Sequence, residues 1–290
     1  MADQRVSLVV ITRDRRAGLL ATLGRLTALP ERPRIVVVDN GSRDGTAAAV
    51  RRAFPSVDLI ALDANRGPAA RNLGVERVRT PYVAFSDDDS WWAPGALARA
   101  ADLLDAHPDL GLVNGHILVG EDERDDPVCL AMATSPLPDD PGMPGRPILS
   151  FLGCAVVVRR DAFLRAGGYR PELAVGGEEE LLGWDLAASG WALSYVPELV
   201  VHHHPSPVRD PDERRARSLR NALWTTWLRR PAGTAWRRSV ELVRRAPRDH
   251  VTARALVGAA AGVPRVLRRR RLLPAHLEAM RRTLDEHEAS

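Results

Sequence analysis

Residues 34–46 read Arg34-Ile35-Val36-Val37-Val38-Asp39-Asn40-Gly41-Ser42-Arg43-Asp44-Gly45-Thr46. The run from Ile35 to Val38 is apolar at every position, so a strand there has two buried faces, as a central parallel strand does when helices cover both sides of a sheet. Asn40-Gly41 supplies a tight turn, and Ser42 or Asp44 can cap the helix that follows. A buried strand, a turn and a helix in that order begin a βα unit.

The same alternation recurs on either side of this stretch, between Arg5 and Leu118, which indicates strands joined by crossover helices. Strands are expected at Val6–Thr12, Arg34–Asp39, Asp58–Asp63, Tyr82–Ser86 and Leu110–Leu118. Helices are expected at Ala17–Ala28, Gly45–Ala53, Gly67–Val78 and Gly95–Ala106. The fold class is therefore α/β, an open, mostly parallel sheet flanked by helices, with a Rossmann-like first half. Ligands of such sheets bind beyond the carboxyl ends of the strands.

From Gly120 to Pro147 the composition turns to acids, Pro and Gly, and no regular element is expected there. Regularity resumes with a strand from Ile148 through Val158, a short helix at Asp161–Ala166, a helix from Glu178 to Ser189, and strands at Ala192–Val196 and Leu199–His202. After Pro211 the chain reads as helices broken at Pro231, Pro247, Pro264 and Pro274, a helical appendage separate from the sheet.

The 290 residues carry 41 basic side chains, all arginine, against 37 acidic ones, a net charge of +4. That sum conceals a division. Residues 1–207 hold 21 Arg against 28 acids, and residues 208–290 hold 20 Arg against 9 acids. No apolar run approaches the roughly 20 residues that span a bilayer, and the N-terminus does not read as a signal peptide. With only two cysteines, Cys129 and Cys154, a disulfide framework or zinc cluster is not expected, and a cytoplasmic location is the default.

Asp87-Asp88-Asp89 at the end of the Tyr82 strand brings three carboxylates together. Holding them there costs free energy unless cations or donors neutralise them. Hard oxygen ligands of this kind suit Mg²⁺ or Mn²⁺ sharing its shell with substrate phosphates, although an isolated acidic triplet is more often a solvated turn. Asp39 can accept hydrogen bonds from a ribose or a base edge. Gly176-Gly177-Glu178-Glu179-Glu180 is either an acid-rich first turn favoured by the helix dipole or a source of a general base. His202-His203-His204 alternates along a strand, with His202 and His204 on one side. Trp91, Trp92, Trp184 and Trp191 are core, wall or sugar-stacking surfaces.

These motifs in series resemble a family 2 glycosyltransferase of the GT-A fold. The resemblance rests on Val37-Val38-Asp39-Asn40-Gly41-Ser42 with Asp44-Gly45-Thr46, on Asn65-Arg66-Gly67 running into Ala70-Arg71-Asn72-Leu73-Gly74, and on Asp87-Asp88-Asp89. It covers roughly residues 5–205. Thr12-Arg13-Asp14-Arg15 departs from the family's usual Thr-Tyr-Asn-Arg, and Glu179 stands where the family usually has Asp.

The resemblance implies a nucleotide-sugar site formed by Thr12, Asp14, Asp39, Asn40, Asn65, Gly67, Arg71, Asp87 and Asp88. It implies a Mg²⁺ or Mn²⁺ held by Asp87 and Asp89, with His202 or His204 beside it. Glu179 becomes the general base, with Glu178 or Glu180 and, more weakly, Asp185 as substitutes, while Trp91 and Trp184 are chosen to line the acceptor site. The implied reaction is inverting transfer from a nucleoside-diphosphate sugar to a hydroxyl of a glycan, a lipid-linked intermediate or a small molecule, in bacterial glycoconjugate biosynthesis. Residues 1–119 would bind the donor, residues 148–207 the acceptor, and residues 208–290 would form the basic helical region.

Two competing readings are weaker. A sugar-nucleotide nucleotidyltransferase would show a Gly-rich loop with Arg or Lys after the first strand, and Thr12–Arg15 contains no glycine. A non-catalytic binding protein would have lost the acidic segments, and both remain. For the arginine-rich tail, docking on the catalytic domain ranks first and contact with the inner face of the cell membrane second. Oligomerisation is open, and no recognised nucleic-acid module is present.

Overall fold

The computed structural model describes residues 4–173, 176–205 and 211–288. The first half contains β1 (Val6–Thr12), α1 (Arg16–Thr27), β2 (Arg34–Asp39), α2 (Thr46–Ala53) and β3 (Asp58–Ala61). A 3-10 turn at Gly67–Ala69 then runs into α3 (Ala70–Arg77), followed by β4 (Tyr82–Asp87), β5 (Ser90–Trp92), α4 (Ala96–Ala106) and β6 (Leu110–Val119). The second half contains β7 (Arg124–Asp125), α5 (Pro127–Ala133), β8 (Arg146–Pro147), β9 (Val156–Arg159), α6 (Arg160–Ala166), α7 (Glu178–Ala188) and β10 (Ala192–His203). Four helices close the chain: α8 (Pro211–Arg229), α9 (Ala232–Arg245), α10 (His250–Arg268) and α11 (Ala275–His287).

The strands form one mixed sheet in the order β3-β2-β1-β4-β9-β6-β10-β5, with β7 beside β6 and β8 beside β10. Strands β3, β2, β1 and β4 are mutually parallel, and β10 runs parallel to β6. The all-apolar run of β2 is buried on both faces, as are Leu8, Val9 and Val10 of β1. Gly74 lets α3 lie close on the sheet: a Cβ there would collide with the Val9 side chain.

Four sequence expectations are corrected. The acidic, Pro-rich segment after Gly120 contains α5, whose first turn is capped by Asp126 accepting from Val128 N–H at 2.8 Å and which buries Cys129 and Met132. The strand expected from Ile148 exists only at Val156–Arg159. Upstream of it, side chains substitute for a ladder: Leu152 N–H donates to Asn114 Oδ1 at 2.6 Å and Gly153 N–H to Glu179 Oε1 at 2.8 Å, so the buried backbone is satisfied without a strand. The two strands expected near residues 192–202 are one strand, β10, with an irregularity between Tyr195 and Val200. Pro264 does not end a helix but lies inside α10, on an exposed position.

The tail packs onto the sheet domain. Leu273 and Leu277 belong to the main core, and Leu228 and Val266 share a cluster with Leu173 and Leu181. Arg229 forks onto Asp185 at 2.6 and 2.8 Å, and the buried Arg230 pairs with Glu278 at 3.0 Å and with Asp285. The boundary expected near residue 207 lies outside the described residues. No described helix is long and apolar enough to cross a membrane.

Candidate active site

Strand register places the first group of side chains. Thr12 pairs with Asp39 and Ile11 with Asp87, so the carboxyl ends of β1, β2 and β4 share one edge. The loops there are tied to each other. Asp39 Oδ1 accepts from Ser42 N–H at 3.0 Å. Asp14, at a positive φ of 52°, accepts from Arg43 N–H at 2.7 Å, while its own N–H donates to Ser42 Oγ at 2.9 Å. The buried Asn40 accepts from Arg66 N–H at 2.8 Å and donates to Gly67 O at 3.0 Å. Asn65 accepts from Gly67 N–H at 2.8 Å, which is a turn-forming role.

The three adjacent carboxylates are separated by what each one meets. Asp87 pairs with the buried guanidinium of Arg71. Asp88 turns inward and accepts from Thr12 Oγ1 at 2.8 Å and Arg15 Nη1 at 3.2 Å. Burial pushes its pKa up to about 6, with Arg15 opposing the shift. Asp89 receives Arg15 Nη1 at 2.8 Å and faces His203 Nε2 at 3.3 Å.

The histidine assignment is thereby corrected. His203, not His202 or His204, points its ring at the acidic turn. His202 Nδ1 lies 2.9 Å from Glu123 Oε1 and its ring stacks on Trp91 at 5.5 Å. His204 uses its backbone N–H to reach Asp89 O at 2.8 Å, and its ring leans on Trp91. Among the described residues no three His, Cys, Asp or Glu side chains converge on one point, so neither His202 nor His204 joins Asp87 and Asp89 there. What fits a cation is the pair Asp89 and His203. His203 Nε2 is buried without a hydrogen bond, and a carboxylate with an imidazole suits Mg²⁺ or Mn²⁺ whose remaining positions are filled by a diphosphate.

The second acidic group stands at the start of α7. Gly177, at φ 85°, precedes the helix, and Gly176, at φ 97°, sits against Ser218 of α8. Asn221 Nδ2 donates to Gly176 O at 2.7 Å. Glu178 is buried, and Glu179 beside it is half-buried. Burial, reinforced by the neighbouring Glu179, pushes the Glu178 carboxyl up to about 8. Burial raises Glu179 too, but there Arg71 and the Gly153 N–H act to lower it. Burial works against the charge of Arg71 as well, yet Asp87, with Tyr169, Glu179 and Glu178 near it, holds that cation firmly protonated. Arg71 thus electrically links the two acidic groups. Glu180 faces Arg281 of α11 at 3.5 Å, and Asp185, bound to Arg229, is a structural anchor rather than a substitute base.

Trp91 is half-buried, with Arg25 over its ring at 3.6 Å. Trp184 is only 2% exposed and lies in the main core, which corrects its assignment to the acceptor wall. Sequence reasoning missed Arg15, Gly153 and Tyr169. Arg15 was visible as the last residue of Thr12-Arg13-Asp14-Arg15. Gly153 and Tyr169 had no local signal: Tyr169 N–H donates to Asn72 Oδ1 at 2.9 Å, and its ring lies beside Arg71.

Comparison with known proteins agrees with this architecture. A mannosyltransferase from Pyrobaculum calidifontis, solved in complex with GDP-Man and Mn²⁺, superposes with a TM-score of 0.62 at 22% identity, over 90% of this chain and 75% of that one. Among curated proteins, the N-acetylglucosaminyl-diphospho-decaprenol L-rhamnosyltransferase of Mycobacterium tuberculosis is 27% identical over 70% of this chain and 78% of its own length. The pre-mycofactocin glycosyltransferase of the same organism is 31% identical over 73% of this chain, which spans 45% of that longer protein. The sequence model of Glycosyl transferase family 2 matches residues 7–165, more than half of the chain. With strand order, acidic turn and family match in agreement, the chain belongs to glycosyl transferase family 2.

Proposed function

We propose that this glycosyltransferase inverts the anomeric configuration as it moves a sugar from a nucleoside-diphosphate donor to a hydroxyl of a lipid-linked acceptor. The observation that carries the reading is the linkage Glu179–Arg71–Asp87, which couples a half-buried carboxylate to the donor edge of the sheet. Thr12, Asp14, Asp39, Asn40, Asn65 and Gly67 form the tied loops at that edge and would receive the nucleoside. Asp87 and Asp88 would lie toward the ribose and sugar. Asp89 and His203 would hold the Mg²⁺ or Mn²⁺, whose positive charge offsets that of the diphosphate when bound.

Glu178 and Glu179 cannot both ionise cheaply side by side. Of the two, Glu178 holds its proton more strongly, and Glu179, with Arg71 and the Gly153 N–H opposing its rise, is the better placed to carry the charge. The acceptor oxygen loses its proton to Glu179 and attacks the anomeric carbon on the face opposite the nucleotide. The bond to the diphosphate oxygen breaks as the new glycosidic bond forms, so the configuration inverts. A lipid-linked acceptor is favoured over a free small molecule by the similarity to the diphospho-decaprenol rhamnosyltransferase, most of whose length the chain covers.

The test is a panel of nucleoside diphosphates and their sugars in thermal-shift measurements with and without Mn²⁺. Product NMR with the donor so found follows. Stabilisation by one nucleotide and a product of inverted configuration are expected. A Glu179→Gln enzyme should bind donor and fail to transfer; wild-type turnover in that variant, or a retained configuration, overturns the mechanism.

A further inference from the structure

Helices α9 and α10 each have an inner face that is accounted for. Val251, Ala255, Ala259, Gly262 and Val266 of α10 are buried, with Trp224 Nε1 donating to Ala259 O at 3.0 Å and its ring lying over Gly262. In α9, Thr234 and Ala235 are buried, and Ser239 Oγ accepts from Trp227 Nε1 at 2.9 Å.

Their outer faces carry a different pattern. Of the eight large hydrophobic side chains exposed among the described residues, six lie in this region: Trp236, Val243, Val257, Val263, Leu267 and Leu272. Trp236 is 65% exposed and Val257 71%. Trp236, Val240 and Val243 follow helical spacing along α9. Val257, Ala260, Pro264 and Leu267 do so along α10. Such exposed apolar side chains cost free energy in water unless something covers them. Trp236, Arg237, Val240 and Arg244 edge an open groove of about 420 Å³.

Charge identifies what covers them. Residues 232–272 contain 11 Arg against two acids, Glu241 and Asp249. Both acids already have partners, Glu241 with Arg238 and Arg245, and Asp249 with Arg215. Arg237, Arg244, Arg254 and Arg268 are exposed and flank the apolar stripes. A second copy of this chain would bring the same excess of positive charge against itself. An anionic bilayer matches both properties at once, taking Trp and aliphatic side chains into the headgroup boundary and arginines onto lipid phosphates.

We infer that the outer faces of α9 and α10 form a docking surface for an anionic lipid membrane. Both helices pack on α8, whose Asn221 holds the turn before Glu178. The proposal concerns the tail alone and stands or falls independently of the transfer chemistry.

Co-sedimentation of the full chain with vesicles tests it. Phosphatidylcholine vesicles containing phosphatidylglycerol should bind at least about tenfold better than pure phosphatidylcholine vesicles. Salt near 1 M, where the screening length falls to about 3 Å, should release the protein. The double variants Trp236→Ser/Val257→Ser and Arg237→Glu/Arg244→Glu should each lose about tenfold in binding with unchanged melting temperature, because all four side chains face water. No binding, equal binding to both vesicle types, or undiminished binding by both variants would overturn the inference. So would a dimer in sedimentation equilibrium that Trp236→Ser dissolves, since that assigns the face to a second copy.

Discussion

Gly153 and Glu179 meet backbone to carboxylate: the Gly153 N–H donates to Glu179 Oε1 at 2.8 Å, and a Cβ on Gly153 would stand 2.5 Å from that same oxygen. The glycine matters here for closeness, not for an unusual backbone angle, and what a Cβ would displace is the carboxylate end of Glu179. Gly153→Ala should therefore move the proposed base while leaving the donor loops intact. Because a misplacement of about 1 Å can cost around 100-fold in rate, kcat should fall by that order with the donor KM little changed. Steady-state kinetics with donor and acceptor varied separately will show it; an unaltered kcat would remove Glu179 from the chemistry.

Glu178 predicts how stability varies with pH. Its folded pKa of about 8 lies above the unfolded value of about 4.3, so the folded state binds the extra proton. Below the unfolded value both states are protonated and the group has no effect. As pH rises through this window the unfolded state ionises first, and stability falls until about pH 8. Glu178→Gln removes that penalty. Its melting temperature should exceed the wild type's by several degrees near pH 8 and converge with it near pH 4, as followed by circular dichroism across the range.

Arg71 is a buried cation beside the acids Asp87, Glu179 and Glu178. Truncating one partner of such an arrangement typically costs about 3–5 kcal/mol, because the remaining charges are left uncompensated. Arg71→Met should lower the urea midpoint accordingly. The double variant Arg71→Met/Asp87→Asn should recover part of the loss, since one orphaned charge is removed with its partner. Absence of any recovery would mean that Asp87 is not the main counter-charge.

His203 and His202 are neighbours with opposite expectations. Chelation should reduce donor binding, and Mn²⁺ should restore it. His203→Ala should raise the Mn²⁺ concentration needed by about tenfold or more, as loss of a single metal contact commonly does. His202→Ala, which loses only Glu123 and the face of Trp91, should leave that requirement unchanged. Isothermal titration of Mn²⁺ with the bound nucleotide distinguishes the two.

The sheet was legible because burial on two faces leaves an unmistakable record: Leu8 to Val10 and Ile35 to Val38 admit no other placement. The acidic turn was legible too, since Asp87, Asp88 and Asp89 are adjacent in sequence. Their division of labour was not. Thr12, Arg15, Arg71 and His203 decide it, and they arrive from β1, the loop before α1, α3 and β10. Strand alternation showed that His203 opposes His202 and His204 but not which side faces Asp89. That depends on β5, which pairs His203 with Ser90 and which the sequence did not announce. Trp184 illustrates the reverse error. Leu181, Leu182, Trp184 and Leu186 are all buried, so α7 is enclosed on nearly every side, and its nearness in sequence to Glu179 says nothing about access to solvent.

The bracing of Gly176 and Gly177 by Ser218, Asn221 and Thr225 of α8 has a consequence for inheritance. The segment carrying Glu179 and the helices after residue 210 form a fitted pair, much as a key blank and its lock plate are cut together. A graft intended to move acceptor preference between relatives should therefore extend through α8 and the helices packed on it. One that stops at the last sheet strand would join a turn to a brace shaped for another.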